Sequence, residues 1–236
     1  MKDEFYGKSY RVFRAVMRLF YPSYQVEATD TEAHSIVYVS HHERFRGPLA
    51  TMLWTKKPLH IWALSAFCDQ KTCCNQIVQY PFVKRFGWNK NAALIICLPL
   101  SYIISALVNS SKAIPVYRGS REIMKTFSQS VDVLTKGESI IIFPDVHYDN
   151  TSPIIGEMDP GFLHLEKFYY RKTKKHITFI PLYASRAQQK IMQGKPIVFR
   201  DGVDFKTEQE RVKEALHSSL VALAYNSGDC RKDVAK

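Results

Sequence analysis

The chain has 236 residues, 46% of them hydrophobic, with 33 Lys and Arg against 22 Asp and Glu for a formal net charge of +11. That length supports one sizeable α/β core without requiring two domains. Its five cysteines, an odd number with no repeated CxxC spacing, exclude a disulfide framework and read as free thiols of a reducing compartment. The basic excess suits an anionic partner: nucleic acid, an anionic membrane surface, or a phosphorylated or CoA-like substrate.

The first twenty residues, "MKDEFYGKSYRVFRAVMRLF", are interrupted by charge too often for a signal peptide. From Tyr10 to Phe20 the pattern is helical and two-faced. Val12, Phe13, Val16, Leu19 and Phe20 lie on one side and Arg11, Arg14 and Arg18 on the other, with Pro22 stopping the helix. Cationic helices of this kind lie among anionic headgroups. Residues 1–24 are therefore expected to form an amphipathic, membrane-contacting helix, and residues 25–236 a single α/β domain. The other reading of the helix packs it on the domain with its arginines in water.

Short apolar runs follow: "SIVYVS" (35–40), "HIWALSA" (60–66), "AIPVY" (113–117), "SIIIFP" (139–144) and "ITFIPLYA" (177–184). They lack polar alternation, which predicts strands buried on both faces, and "KPIVFR" (195–200) is expected to add an edge strand. Between the second and third lies "AALIICLPLSYIISALV" (92–108), uncharged and interrupted by Pro99. It is short for a full span, since about 20 residues are usual, and fits a shallow interfacial insertion or a buried core helix. Helices are predicted over 121–135, capped by Ser120 and ended by Gly137, and over 207–223, opening on a Thr207/Glu210 capping box. The alternation predicts an α/β fold with a mostly parallel central sheet flanked by helices. In such sheets sites gather at the carboxyl ends of strands, where His41, His42, Arg118, Pro144 and Asp145 fall.

In this order the motifs resemble the phospholipid/glycerol acyltransferase family, of the lysophosphatidate-acyltransferase type. "IVYVSHHERFRGPL" is similar to its first block, "KAIPVYRG" to its second, "IIIFPDVHYD" to its third and "ITFIPLYA" to its fourth, over about residues 26–200. The resemblance implies transfer of a fatty acyl group from acyl-CoA or acyl-carrier protein to a lysophospholipid or glycerol-phosphate-type hydroxyl. It implies His42 as the base and puts Arg118 on the acceptor's phosphate, with His41, Pro144 and His147 also at the substrate. A neutral imidazole suits that role near pH 7, and a guanidinium fork suits a phosphate.

The block's usual aspartate, five residues beyond the histidine, is here Gly47, and Asp145 stands where the third block usually has Glu. A substitute carboxylate for His42 is expected among Asp145, Glu43 and Asp149; if none serves, Gly47→Asp should raise turnover. Arg46, one helical turn from His42, would weaken the base. The alternative is a catalytically degenerate homologue that binds lipid or a partner enzyme. His41, His42, His147 and Asp149 have no diagnostic metal spacing, so neither a metal nor a resident cofactor is expected. The basic residues match no nucleic-acid motif, and membrane phospholipids at the cytoplasmic face of a bilayer are the expected partners.

Overall fold

The computed structural model describes residues 5–27, 35–85 and 87–230; residues 1–4 of the expected N-terminal segment and 28–34 ahead of the first motif block lie outside them. In chain order the elements are α1 (Lys8–Phe20), β1 (Gln25–Val26), β2 (Ile36–Ser40), α2 (Arg46–Trp54), β3 (Leu59–Leu64), α3 (Gln70–Ile77) and α4 (Lys90–Ser110). Then come β4 (Ile114–Val116), α5 (Ile123–Thr135), β5 (Ser139–Ile142), α6 (Leu165–Thr173), β6 (Thr178–Ser185), β7 (Lys190–Gln193) and α7 (Phe205–Asn226). The fold is α/β, with mostly parallel strands flanked by helices. The chain divides into two compact units, Met1–Leu19 with His60–Thr126, and Phe20–Leu59 with Phe127–Lys236.

The second unit holds strands in the order β1-β7-β6-β2-β5. All pair in parallel except β6 with β7. Every residue of β2 is buried, as a strand covered on both faces requires. Its neighbours contribute Ile140, Ile141, Phe179 and Ile180, each almost fully inaccessible. Burying each such side chain stabilises the fold by about 1.5–3 kcal/mol. On α7, Val212, Leu216, Leu220 and Ala224 recur every four residues and are all buried, and that helix packs on β6.

Two sequence expectations fail in this unit. "KPIVFR" forms no strand: Ile197 exchanges backbone hydrogen bonds with Phe179 at 2.8 and 2.9 Å, an isolated bridge next to Pro196, which has no N–H to give. The antiparallel neighbour of β6 is instead Lys190–Gln193. The cap of α7 is Asp204, whose carboxylate accepts from Lys206 N–H and Thr207 N–H, so Thr207 lies inside the helix that it was expected to start.

In the first unit β3 and β4 pair in parallel. The apolar segment forms one unbroken helix, α4, through Pro99. Its inner side joins α3 in a core of Cys73, Cys74, Ile77, Val78, Ala93 and Cys97. Its outer side leaves Ile95, Leu98, Tyr102 and Ile103 exposed, Ile95 by 77%. The start of α1 is tied to the end of α4, Gly7 N–H donating to Ser110 O at 2.8 Å and Tyr10 N–H to Ser110 Oγ at 2.9 Å. Along α1 the apolar Val12, Val16 and Leu19 face outward, whereas Arg14 is buried with its guanidinium 5.9 Å from the centre of the Tyr6 ring. The arginines of this helix are therefore not uniformly in water.

Candidate functional site

Val39 in β2 lies opposite Ile142 in β5, so the two strands end side by side. His41 and His42 continue the first and Asp145 the second, and this brings the three together. Asp145 Oδ1 is 2.5 Å from His41 Nδ1, and Oδ2 accepts the His42 backbone N–H at 2.8 Å. The other ring nitrogen of His41, Nε2, bonds Ser152 O at 2.8 Å. Burial alone would lower the His41 pKa. The hydrogen bond and charge of Asp145, with the Ser152 carbonyl and Glu43, outweigh it and raise the value above the usual histidine range.

The ring of His42 takes no part in that pair. Its Nδ1 is buried and, among the described residues, has no hydrogen-bond partner. Aromatic rings surround it, with centroids at 5.8 Å for Phe143, 5.9 Å for Phe45 and 6.1 Å for Tyr148. Burial pushes its pKa down to about 4; the Asp145 carboxylate opposes the shift and His41 adds to it. His42 is thus neutral across the physiological range.

After His42 the chain turns through two left-handed residues, Glu43 at φ 41° and Arg44 at φ 59°. Each such non-glycine residue costs about 1 kcal/mol, a strain that recurs at functional sites. The turn returns the chain so tightly that Gly47 N–H donates to His42 O at 3.2 Å. A Cβ on Gly47 would lie 1.9 Å from His41 O. No side chain fits there, so the expectation that Gly47→Asp restores a partner to His42 fails on steric grounds. Arg46 does not confront His42 as an unpaired cation either: its Nη1 donates to the buried Glu43 at 2.6 Å.

The remaining expected residues are placed as follows. Pro144 is buried and its carbonyl accepts Asp159 N–H at 2.9 Å. His147 is exposed on the next loop, its carbonyl accepting Asn150 N–H at 3.1 Å. Asp149 presents its backbone oxygen to Arg44 Nε at 3.4 Å. Arg118 belongs to the first unit, exposed just after β4 and followed by Gly119 at φ +70°. Among the described residues no group of three or more His, Cys, Asp or Glu is placed to hold a metal.

Sequence reasoning missed the Ser152 carbonyl, which no side-chain pattern announces. It also missed the aromatic box, although Phe45, Phe143 and Tyr148 each stand within three residues of His42 or Asp145. A second histidine–carboxylate group went unremarked as well. His176 Nδ1 is 2.6 Å from Glu166 and Nε2 3.0 Å from Asp201, while Glu166 also accepts Ile177 N–H at 2.9 Å. It borders a cavity of about 620 Å³ lined by Ser35, Lys136, Tyr169, Lys175, His176 and Thr178. Ser35, Lys136, Lys175 and His176 precede β2, β5 and β6, and Thr178 begins β6, so the cavity lies at the amino ends of the strands, at the opposite end from His42.

The chain matches no family model and no curated protein. It is similar to a solved structure, that of the 1-acyl-sn-glycerophosphate (LPA) acyltransferase PlsC from Thermotoga maritima, with a TM-score of 0.49 and 10% sequence identity over 92% of this chain and 78% of that one.

Proposed function

We propose that the chain is a membrane-associated O-acyltransferase that uses acyl-CoA or acyl-carrier protein to acylate a lysophospholipid or related glycerol-phosphate hydroxyl. The observation that carries this reading is His42: a neutral imidazole at the carboxyl end of a central strand, its ring kept out of the adjacent carboxylate pair. The acceptor oxygen attacks the thioester carbonyl carbon, a C–O bond forms and the C–S bond breaks. The hydroxyl proton passes to His42 and from it to the departing thiolate. Asp145 holds the base by its backbone N–H. Arg118 is assigned to the acceptor's phosphate, and His41, Pro144 and His147 to the substrate's surroundings. The outward apolar residues of α1 and α4, with the +11 charge, support docking on anionic phospholipids at the cytoplasmic face of a membrane.

Three observations favour a second reading, a non-catalytic homologue that binds lipid or a partner enzyme. Both oxygens of Asp145 are engaged, none of the described residues orients His42 at Nδ1, and a base with a pKa of about 4 draws a proton from an alcohol weakly. A donor and acceptor screen on the purified protein, run beside His42→Ala, separates the two. Acyl transfer is expected, and should fall about 10²–10⁴-fold in the variant. Turnover undiminished in His42→Ala removes His42 as the base, and lysolipid binding without transfer from any donor supports the second reading.

A further inference from the structure

The loop of residues 146–157 leaves Asp145 and returns at Met158, and its base is closed by backbone. Asp145 and Met158 form an antiparallel bridge, Val146 N–H donates to Glu157 O at 3.1 Å, and Asp159 N–H donates to Pro144 O at 2.9 Å. Inside the loop, Ser152 N–H donates to Asn150 Oδ1 at 2.8 Å and Ile154 N–H to Ser152 Oγ at 3.1 Å, fixing the peptide whose carbonyl meets His41. The same loop carries Tyr148, one wall of the His42 box.

A backbone carbonyl only accepts hydrogen bonds, and so does an ionised carboxylate. A neutral imidazole has one N–H, so His41 bonds Ser152 O and Asp145 together only while the pair holds an additional proton. We propose that His41 is a positioning residue: as an imidazolium it ties Ser152 to Asp145 and holds the 146–157 loop, with Tyr148, against the ring of His42, and on losing its proton it releases the loop. The groups facing it are Asp145 beyond β5, Glu43 in the turn before α2, and the neutral His42. Glu43 is itself faced by Arg46, by Arg186 beyond β6 and by Asp229 beyond α7. The consequence for acceptor recognition rests on the acyltransfer reading, whereas the anchoring of the loop does not.

Hydrogen exchange on the full chain tests this. With intrinsic rates corrected for, amides within 146–157 should lose about tenfold in protection as the pH is raised from about 6.5 through the folded pKa of His41, roughly the worth of one charge-assisted hydrogen bond, while β2 and β5 hold theirs. His41→Asn, which cannot titrate or span both acceptors, should be less protected in the loop by a similar factor at either end of that range and show no pH response. If acyl transfer is detected, the variant's kcat/KM for the acceptor should fall about tenfold. A wild-type loop indifferent to pH, or a variant as protected as wild type, overturns the proposal. So does a loss shared equally by β2 and β5, which assigns His41 to the fold as a whole. Complete lack of transfer sinks the functional reading and leaves the exchange result to stand or fall separately.

Discussion

The sheet of the second unit carries a histidine–carboxylate group at each end, buried at the carboxyl ends and half-buried at the amino ends, and the two are finished differently. At the amino ends, His176 has a carboxylate on each ring nitrogen and its ring stacks on Tyr170. At the carboxyl ends, His41 is equally satisfied, but its neighbour His42 keeps a buried nitrogen with no partner among the described residues, on a turn strained at two residues. A buried polar atom left unpaired costs about 1–3 kcal/mol, and strain adds to that cost. The amino-end group is therefore a clamp, and at the carboxyl-end group stability has been given up, as the proposed role of His42 as a base would require.

The contrast breaks most easily at Gly47. Gly47→Ala should cost about 3 kcal/mol, the upper end for overpacking, because a Cβ meets the His41 carbonyl rather than a side chain that can swing away. Denaturant unfolding measures it, and an unchanged midpoint would mean that the turn relaxes freely. A smaller loss, about 1.5–3 kcal/mol, is expected for Glu166→Gln at the clamp, with acyl transfer untouched. There the wild type should show a signature in pH. Burial alone lowers His176, but Glu166 and Asp201 outweigh it and its folded pKa stands above the ordinary histidine value of about 6.5. Its contribution is present in full below about pH 6.5 and disappears as pH rises through the folded value. Glu166→Gln should flatten that decline, and a curve parallel to wild type removes the clamp from the explanation.

The smallest effect sharpens the comparison furthest. Since His42 stays neutral down to about pH 4, the acid limb of kcat/KM should lie near 4 instead of near 6.5, with little change between pH 7 and 5. A limb near 6.5 would say that the box around His42 opens to water when substrate is bound.

Much of this was legible beforehand. The five expected strands fall within two residues of their apolar runs; β2, β5 and β6 are buried almost throughout, and a strand covered on both faces cannot hide its composition, whereas β3 is only partly buried. β7 was missed because "KIMQ" is only four residues long and polar at both ends, too short a run to show a strand period. The three residues at the heart of the site were readable, but their partnership was not. Asp145 was a candidate partner for His42 and bonds the ring of His41, 104 residues away in sequence. Adjacent residues leaving a strand present their side chains to different sides, so only the three-dimensional turn decides which imidazole meets the acid. The crowding that excludes a side chain at Gly47 is likewise a property of backbone path, invisible in residue type.

The three thiols shared by α3 and α4 bear on how the first unit can be watched. Cys73 and Cys97 are wholly inaccessible and Cys74 nearly so, and burial pushes Cys73 up to about 11, so almost none of it is thiolate at neutral pH. Alkylating reagents have nothing to attack until that packing opens. The rate at which these sulfurs become labelled is then a clock for the loosening of the α3–α4 core, the packing behind the outward apolar side of α4, and it needs no introduced probe.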